Sequence, residues 1–187
     1  MKKYELTSET KIVFGHILYR IKALSSFGYV SAGDLGGFLE SEKNLSQNGN
    51  AWVSGNAWVS GNAEVSGNAE VSGDARVYGN AEVSGDARVS GDARVYGNAE
   101  VSGNAEVSEI GAIFWIGAVG SRNDTATFFR CRDGSIKVVC GCFFGNLDEF
   151  AKKVRKTHGD NDHAKVYMLA IDMAKIRIST EKEKTEE

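Results

Sequence analysis

Residues 73–101 read GDARVYGNAEVSGDARVSGDARVYGNAEV. They belong to ten uninterrupted copies of Gly-(Asn/Asp)-Ala-x-Val-(Ser/Tyr) spanning residues 49–108. Ala and Val stand two apart in each copy. On an extended chain both therefore point to one side, while x and Ser/Tyr point to the other. Gly followed by Asn or Asp supplies a corner, because these residues tolerate positive φ. One unit is too small to bury its Ala and Val. Stacked coils can bury them, each short strand pairing with the one above at about 4.8 Å. A six-residue period sustained this long predicts a β-helix.

Working outward, residues 1–48 form a lead-in. ILYRIKAL (17–24) alternates as a strand, with Leu18, Arg20 and Lys22 on one side and Ile17, Tyr19, Ile21 and Ala23 on the other. AGDLGGFLESEKNLSQ (32–47) is punctuated by glycine and then polar, and reads as the cap on the first coil. Residues 109–178 change character. GAIFWIGAVG (111–120), TATFFRCR (125–132) and SIKVVCGCFF (135–144) read as strands, with a hairpin signal at Asp133-Gly134. Asn146 with Glu149 three residues on predicts an N-cap and a helix to about Lys156. A second helix, about His163 to Ile176, carries Val166, Leu169, Ala170, Met173 and Ile176 on one face. The expected architecture is mainly β: a short hexapeptide β-helix with an N-terminal cap and a small C-terminal α+β domain. A charged tail, expected to fray, occupies 179–187.

Composition narrows the function classes. The 187-residue chain carries a net charge of −3, so no global basic field draws it to nucleic acid or an anionic membrane. No apolar run approaches the ~18 residues of a membrane span. Glu5, Thr7, Ser8 and Glu9 stand where a signal peptide needs its apolar core. Three clustered cysteines, Cys131, Cys140 and Cys142, do not form a secreted disulfide framework. A cytoplasmic protein is expected.

The repeat block is similar to the hexapeptide-repeat β-helix superfamily. The lead-in GDLGGFLESEKNLSQNGNAWVSGNA (33–57) resembles a narrower group of uncharacterised enterobacterial and phage-encoded β-helix proteins. GSRND (120–124), CGCFFGNLDEF (140–150) and THGDN (157–161) resemble a small domain of unknown function appended to such phage repeats. The resemblance implies a left-handed helix with three hexapeptides, or 18 residues, per triangular coil. It also implies a homo-oligomer, a trimer ahead of a dimer, in the cytoplasm of a bacterial host. The sequence agrees with a lag of 18: Tyr78 and Tyr96 are 18 apart, and GNAEVS recurs at 61–66, 79–84 and 97–102.

An 18-residue coil generates three outward faces. One stacks Glu64, Glu82 and Glu100, a solvated like-charge ladder. A second stacks Trp52, Glu70, Arg88 and Glu106, with alternating charge. The third gathers Trp58, Arg76, Tyr78, Arg94 and Tyr96. Aromatic and Arg residues are enriched where partners bind. This third face suits cation–π packing, a self-contact between protomers, or an anionic ligand such as a nucleotide. Enzymes of the superfamily rely on histidine in or beside the coils, as general base or metal ligand. Residues 49–108 contain no His, Cys, Lys or Thr, so the coils lack those catalytic groups.

In the C-terminal region, Cys140 and Cys142 are expected on one side of a strand. With Cys131 and His158 or His163 they are the candidate zinc ligands, although buried structural cysteines fit the spacing better. Arg122, Asn123 and Asp124 in one loop, and His158 in another, are the candidate polar site. Lys152, Lys153, Arg155 and Lys156 read as a solvated face. The expected function is a non-enzymatic, phage-type binding protein without a cofactor. Its oligomeric β-helix presents the C-terminal domain or the Arg/Tyr face to a protein or nucleotide-like partner, inhibiting or sequestering a component of host defence. A divergent transferase-like enzyme and a polymerising scaffold are the alternatives.

Overall fold

The computed structural model describes residues 2–178; the tail expected at 179–187 lies outside them. The chain begins with a long hairpin, β1 (Tyr4–Val13) and β2 (His16–Ala23), followed by β3 (Leu35–Leu39). The x-Val pairs of the repeats then form ten two-residue strands. These are β4 (Trp52–Val53), β5 (Trp58–Val59), β6 (Glu64–Val65), β7 (Glu70–Val71), β8 (Arg76–Val77), β9 (Glu82–Val83), β10 (Arg88–Val89), β11 (Arg94–Val95), β12 (Glu100–Val101) and β13 (Glu106–Val107). Trp58 pairs with Arg76 and Arg76 with Arg94; Trp52 leads to Glu70, Arg88 and Glu106; Glu64 leads to Glu82 and Glu100. All these pairings are parallel and 18 residues apart, so each coil takes three hexapeptides and three sheets run the length of a β-solenoid.

The repeat chemistry explains the stack. Every Ala and Val of the repeats is buried in one continuous core. At the corners, Asn50 donates its side-chain amide to Asn68, and Asn68 donates to Asp86 at 2.9 Å; a second column runs Asn62 to Asn80 to Asn98. An Asp accepts in such a ladder but has no amide to pass on. Arg88 Nε lies 3.4 Å from Glu70 Oε2, so the alternating charges of that face do pair.

The first coil starts inside the lead-in. β3 pairs in parallel with β5, Phe38 on Trp58 and Leu39 on Val59, and Leu45 bridges Val65. Gly37 is required there, since a Cβ would lie 2.5 Å from the Ala57 carbonyl. The end of the core is closed by Tyr4, whose hydroxyl lies within hydrogen-bonding reach of two carbonyl acceptors, Leu45 O at 2.7 Å and Glu42 O at 2.9 Å. Lys3 Nζ donates to Ala51 O at 2.9 Å. Alternation holds in β2: Leu18 packs with Phe38 and Trp58 on one side, and Ile21 and Ala23 enter the main core on the other. Ile17 shares the side of Ile21 but is exposed, because it stands toward the hairpin tip, before the part of β2 (from Tyr19) that pairs with β3.

After β13 the chain makes a short 3₁₀ turn, Ile110–Ala112, and enters a four-stranded antiparallel meander: β14 (Ile113–Val119), β15 (Asp124–Arg130), β16 (Ile136–Cys140) and β17 (Phe143–Asn146). Phe129, Cys131 and Val139 close the far end of the solenoid core, while Phe128, Val138 and Cys140 face the helices α1 (Leu147–His158) and α2 (Asp162–Arg177). The Asn146/Glu149 capping box forms as the sequence predicts. Two expectations fail. SIKVVCGCFF is two strands, because Gly141 takes φ 55° and turns the chain between Cys140 and Phe143. In α2, Ala170 is buried, but Val166, Leu169, Met173 and Ile176 are exposed. The buried stripe is Ala164, Tyr167, Ala170, Ile171 and Ala174. Two apolar faces compete on this helix, and the one with small residues approaches the sheet.

A candidate partner-binding cleft at the solenoid end

The aromatic residues of the Arg/Tyr face form one continuous row of rings. Phe14, at the tip of the β1–β2 hairpin, meets Trp58 edge-on at 6.4 Å; Trp58 stacks on Tyr78 at 5.5 Å. Tyr78 stacks on Tyr96 at 5.0 Å with rings 5° from parallel, and Tyr96 meets Trp115 of β14 edge-on at 4.4 Å. Tyrosines at corresponding positions of successive coils stand about 4.8 Å apart, which is a ring-stacking distance. The cation–π contacts among the described residues lie elsewhere, on Phe27 and Phe38, so ring-on-ring packing organises this face. Trp58 is buried beneath Phe14 and Phe38, and burial holds the Tyr78 phenol above its usual pKa. Arg76 is half-buried; Arg94 and Tyr96, one coil further on, are exposed.

Arg94 and Tyr96 open onto a cleft of about 390 Å³ whose other walls are Ile110, Ile113, Phe114, Trp115 and Arg177. The volume is in the range of small-ligand sites. Neither Arg94 nor Arg177 is in an ion pair among the described residues. The cleft continues along Phe114, Met173 and Ile176 on the exposed face of α2. Its apolar walls come from the chain's exit out of the last coil, and its second guanidinium from the last turn of α2.

The last coil explains why this cleft exists. Inside the solenoid, each x residue donates its N–H to the coil below, as in Trp58 N to Ala75 O and Arg76 N to Ala93 O, and each Ser/Tyr position does the same, as in Tyr78 N to Val95 O. At the end there is no coil below. On the acidic face Thr127 Oγ1 takes the Glu100 N–H at 3.1 Å. On the second face Cys131 bridges Ala105, and Arg132 N donates to Asn104 O. On the third, β14 leaves to pair with β15, and the N–H groups of Arg94 and Tyr96 have no partner among the described residues.

The C-terminal candidates gather in part. Arg122 lies over Gly141, where a Cβ would come within 2.6 Å of the guanidinium. Arg122, Cys140, Cys142, Lys153, His158 and Tyr167 border a smaller cavity of about 110 Å³. Asn123 shapes the turn at φ 52° and Asp124 Oδ1 accepts from Thr125 N. Cys140 and Cys142 do not share a strand face: the first is buried 3.7 Å from Tyr167 Oη, the second is exposed beyond the Gly141 turn. Cys131 sits apart at the solenoid end, where burial pushes its thiol up to about 11. No three His, Cys, Asp or Glu side chains group to hold a metal ion among the described residues. His158 stands 5.6 Å from His163 and 5.8 Å from Tyr167, ring to ring. No helix among the described residues is long and apolar enough to cross a membrane.

Ile110, Phe114, Trp115 and Arg177 carry no signal in the sequence that marks them as cleft residues. A run such as GAIFWIG reads as strand, and nothing local says which of its aromatic residues remain outside.

These features define a β-solenoid repeat protein whose coils end against a small α+β domain. The repeats are similar to a described family: the model for the YdcK beta solenoid repeat matches residues 75–91, 81–97 and 87–103. No curated protein matches the chain.

Proposed function

We propose that this is a non-enzymatic binding protein that holds its partner in the cleft between the last coil and the C-terminal domain. The observation that supports this most is the pairing of two guanidinium groups that have no ion pair among the described residues, Arg94 and Arg177, with the apolar walls of Tyr96, Phe114 and Trp115. Aromatic and Arg side chains together favour a partner that offers both apolar surface and negative charge. The solenoid serves as a rigid frame, with the ring row from Phe14 to Trp115 bracing its two ends. The hexapeptide and phage-type resemblance supplies the biological setting: a homo-oligomer in the bacterial cytoplasm that sequesters or inhibits a host-defence component.

Arg94→Glu/Arg177→Glu protein should lose the partner that the unchanged protein retains from a lysate of its host, with an unaltered circular dichroism spectrum. Arg122→Glu, at the smaller cavity, should keep it. Equal retention by the double variant would remove the cleft from consideration. Native mass spectrometry of the same preparations gives the oligomeric state.

A further inference from the structure

We propose that β11 is an open docking edge that accepts an extended, acidic segment of a partner protein as one more strand of the solenoid sheet. This rests on the reading of the cleft as the binding site and names what binds there. The solenoid's three sheets meet their last coil differently. The Thr127 hydroxyl of β15 takes one edge N–H, that of Glu100, in the first, and backbone around Cys131 pairs beside the second. The sheet ending in β11 keeps the N–H groups of Arg94 and Tyr96 without partners among the described residues. In a parallel ladder both polar groups of a residue point to the same neighbour, so the Arg94 carbonyl faces the same way. Two donors two residues apart stand about 6.6 Å from each other, the repeat of an extended backbone. A small anion satisfies one of them; a strand satisfies both and returns an N–H to the carbonyl.

The surroundings select the segment. A bare sheet edge is normally covered or blunted. This one is flanked by Arg94 and Arg177 and by an apolar floor of Ile113 and Trp115. Strand addition takes affinity from main-chain hydrogen bonds and specificity from alternate side chains. Acidic residues would face the guanidinium groups and apolar ones the floor. A second copy of this chain is a poorer occupant, since edge-to-edge pairing brings two Arg94 guanidinium groups together.

The experiment pans a random dodecapeptide library displayed on phage against the full-length protein, then resynthesises the enriched peptides and measures affinity by calorimetry. Enriched peptides should alternate Asp or Glu with apolar residues and bind Arg94→Glu/Arg177→Glu at least tenfold more weakly. N-methylation at the residue facing the Arg94 carbonyl should cost at least tenfold, and amide exchange at Arg94 and Tyr96 should slow at least tenfold in the complex. Full affinity after N-methylation, or unchanged exchange at these amides, overturns strand addition while leaving the charged cleft standing. No enrichment together with binding of adenosine monophosphate that depends on Arg94 and Arg177 replaces the strand by a nucleotide-like ligand. Peptides indifferent to the double variant, or no binding by either probe, overturn both the edge and the cleft.

Discussion

Glycine at the first position of the repeats answers two constraints at once wherever a further coil stacks closely on it, as at Gly85. At Gly85 the backbone has φ 66°, and a Cβ would stand 2.8 Å from the amide nitrogen of Gly103 in the next coil. At Gly15, in the tip of the first hairpin, φ is 83° but a Cβ would meet no atom within 4 Å. Left-handed backbone costs an L-residue about 1–2 kcal/mol. Forcing atoms into packed surroundings adds about 1–3 kcal/mol. Gly85→Ala should therefore be clearly more destabilising than Gly15→Ala in urea unfolding, by ~1 kcal/mol or more. Equal losses would mean that the coils move apart freely at their corners.

At the scale of the element, α2 shows how two apolar stripes divide. The sheet takes Tyr167, Ala170, Ile171 and Ala174, with Ala providing close approach. Leu169 is 63% exposed and Ile176 87%. Ile171→Ala should cost about 2–5 kcal/mol, as large-to-small changes in a packed core do. Ile176→Ser should remain within about 0.5 kcal/mol, as surface changes do. Thermal unfolding of the two variants checks the assignment. A large loss for Ile176→Ser that grows on dilution would instead show that protomers meet through this face.

For the whole molecule, the closure of the solenoid's first end by Lys3 has a pH signature. Burial lowers the Lys3 pKa from its ordinary 10.5 to about 8. Below pH 8 the folded and unfolded chains both hold this proton, and the group contributes no pH dependence. Between about 8 and 10.5 the unfolded chain binds the proton more, so folding becomes more favourable as pH rises. The difference in Tm between the unchanged protein and Lys3→Gln should accordingly move in favour of the unchanged protein across this window. A difference that is flat from pH 7 to 10.5 would place the Lys3 amine in contact with water.

The solenoid was legible because each hexapeptide repeats its own instructions. Gly and Asn/Asp turn the chain, Ala and Val fill the interior, and the lag of 18 between Tyr78 and Tyr96 sets which residues share a face. Residues 146–149 likewise carried a local signal for a helix start. Elsewhere local pattern ceased to decide. In β2, Ile17 and Ile21 share a side, but only Ile21 lies over the core; Ile17 stands toward the hairpin tip, before the stretch that pairs with β3. At Gly141 one positive φ separates two cysteines that a continuous strand would have aligned. Part of the candidate cleft, Arg94 and Tyr96, lay on a face visible from periodicity. Phe114, Trp115 and Arg177 did not, because they reach it only through the exit of β14 and the docking of α2. The coil, its interior and the row of outward residues were set by the amino-acid order alone, since they follow from nearest-neighbour repetition. That the N–H groups of Arg94 and Tyr96 have no partner among the described residues was set by tertiary packing, because it depends on where the strands of a distant sheet find their own partners.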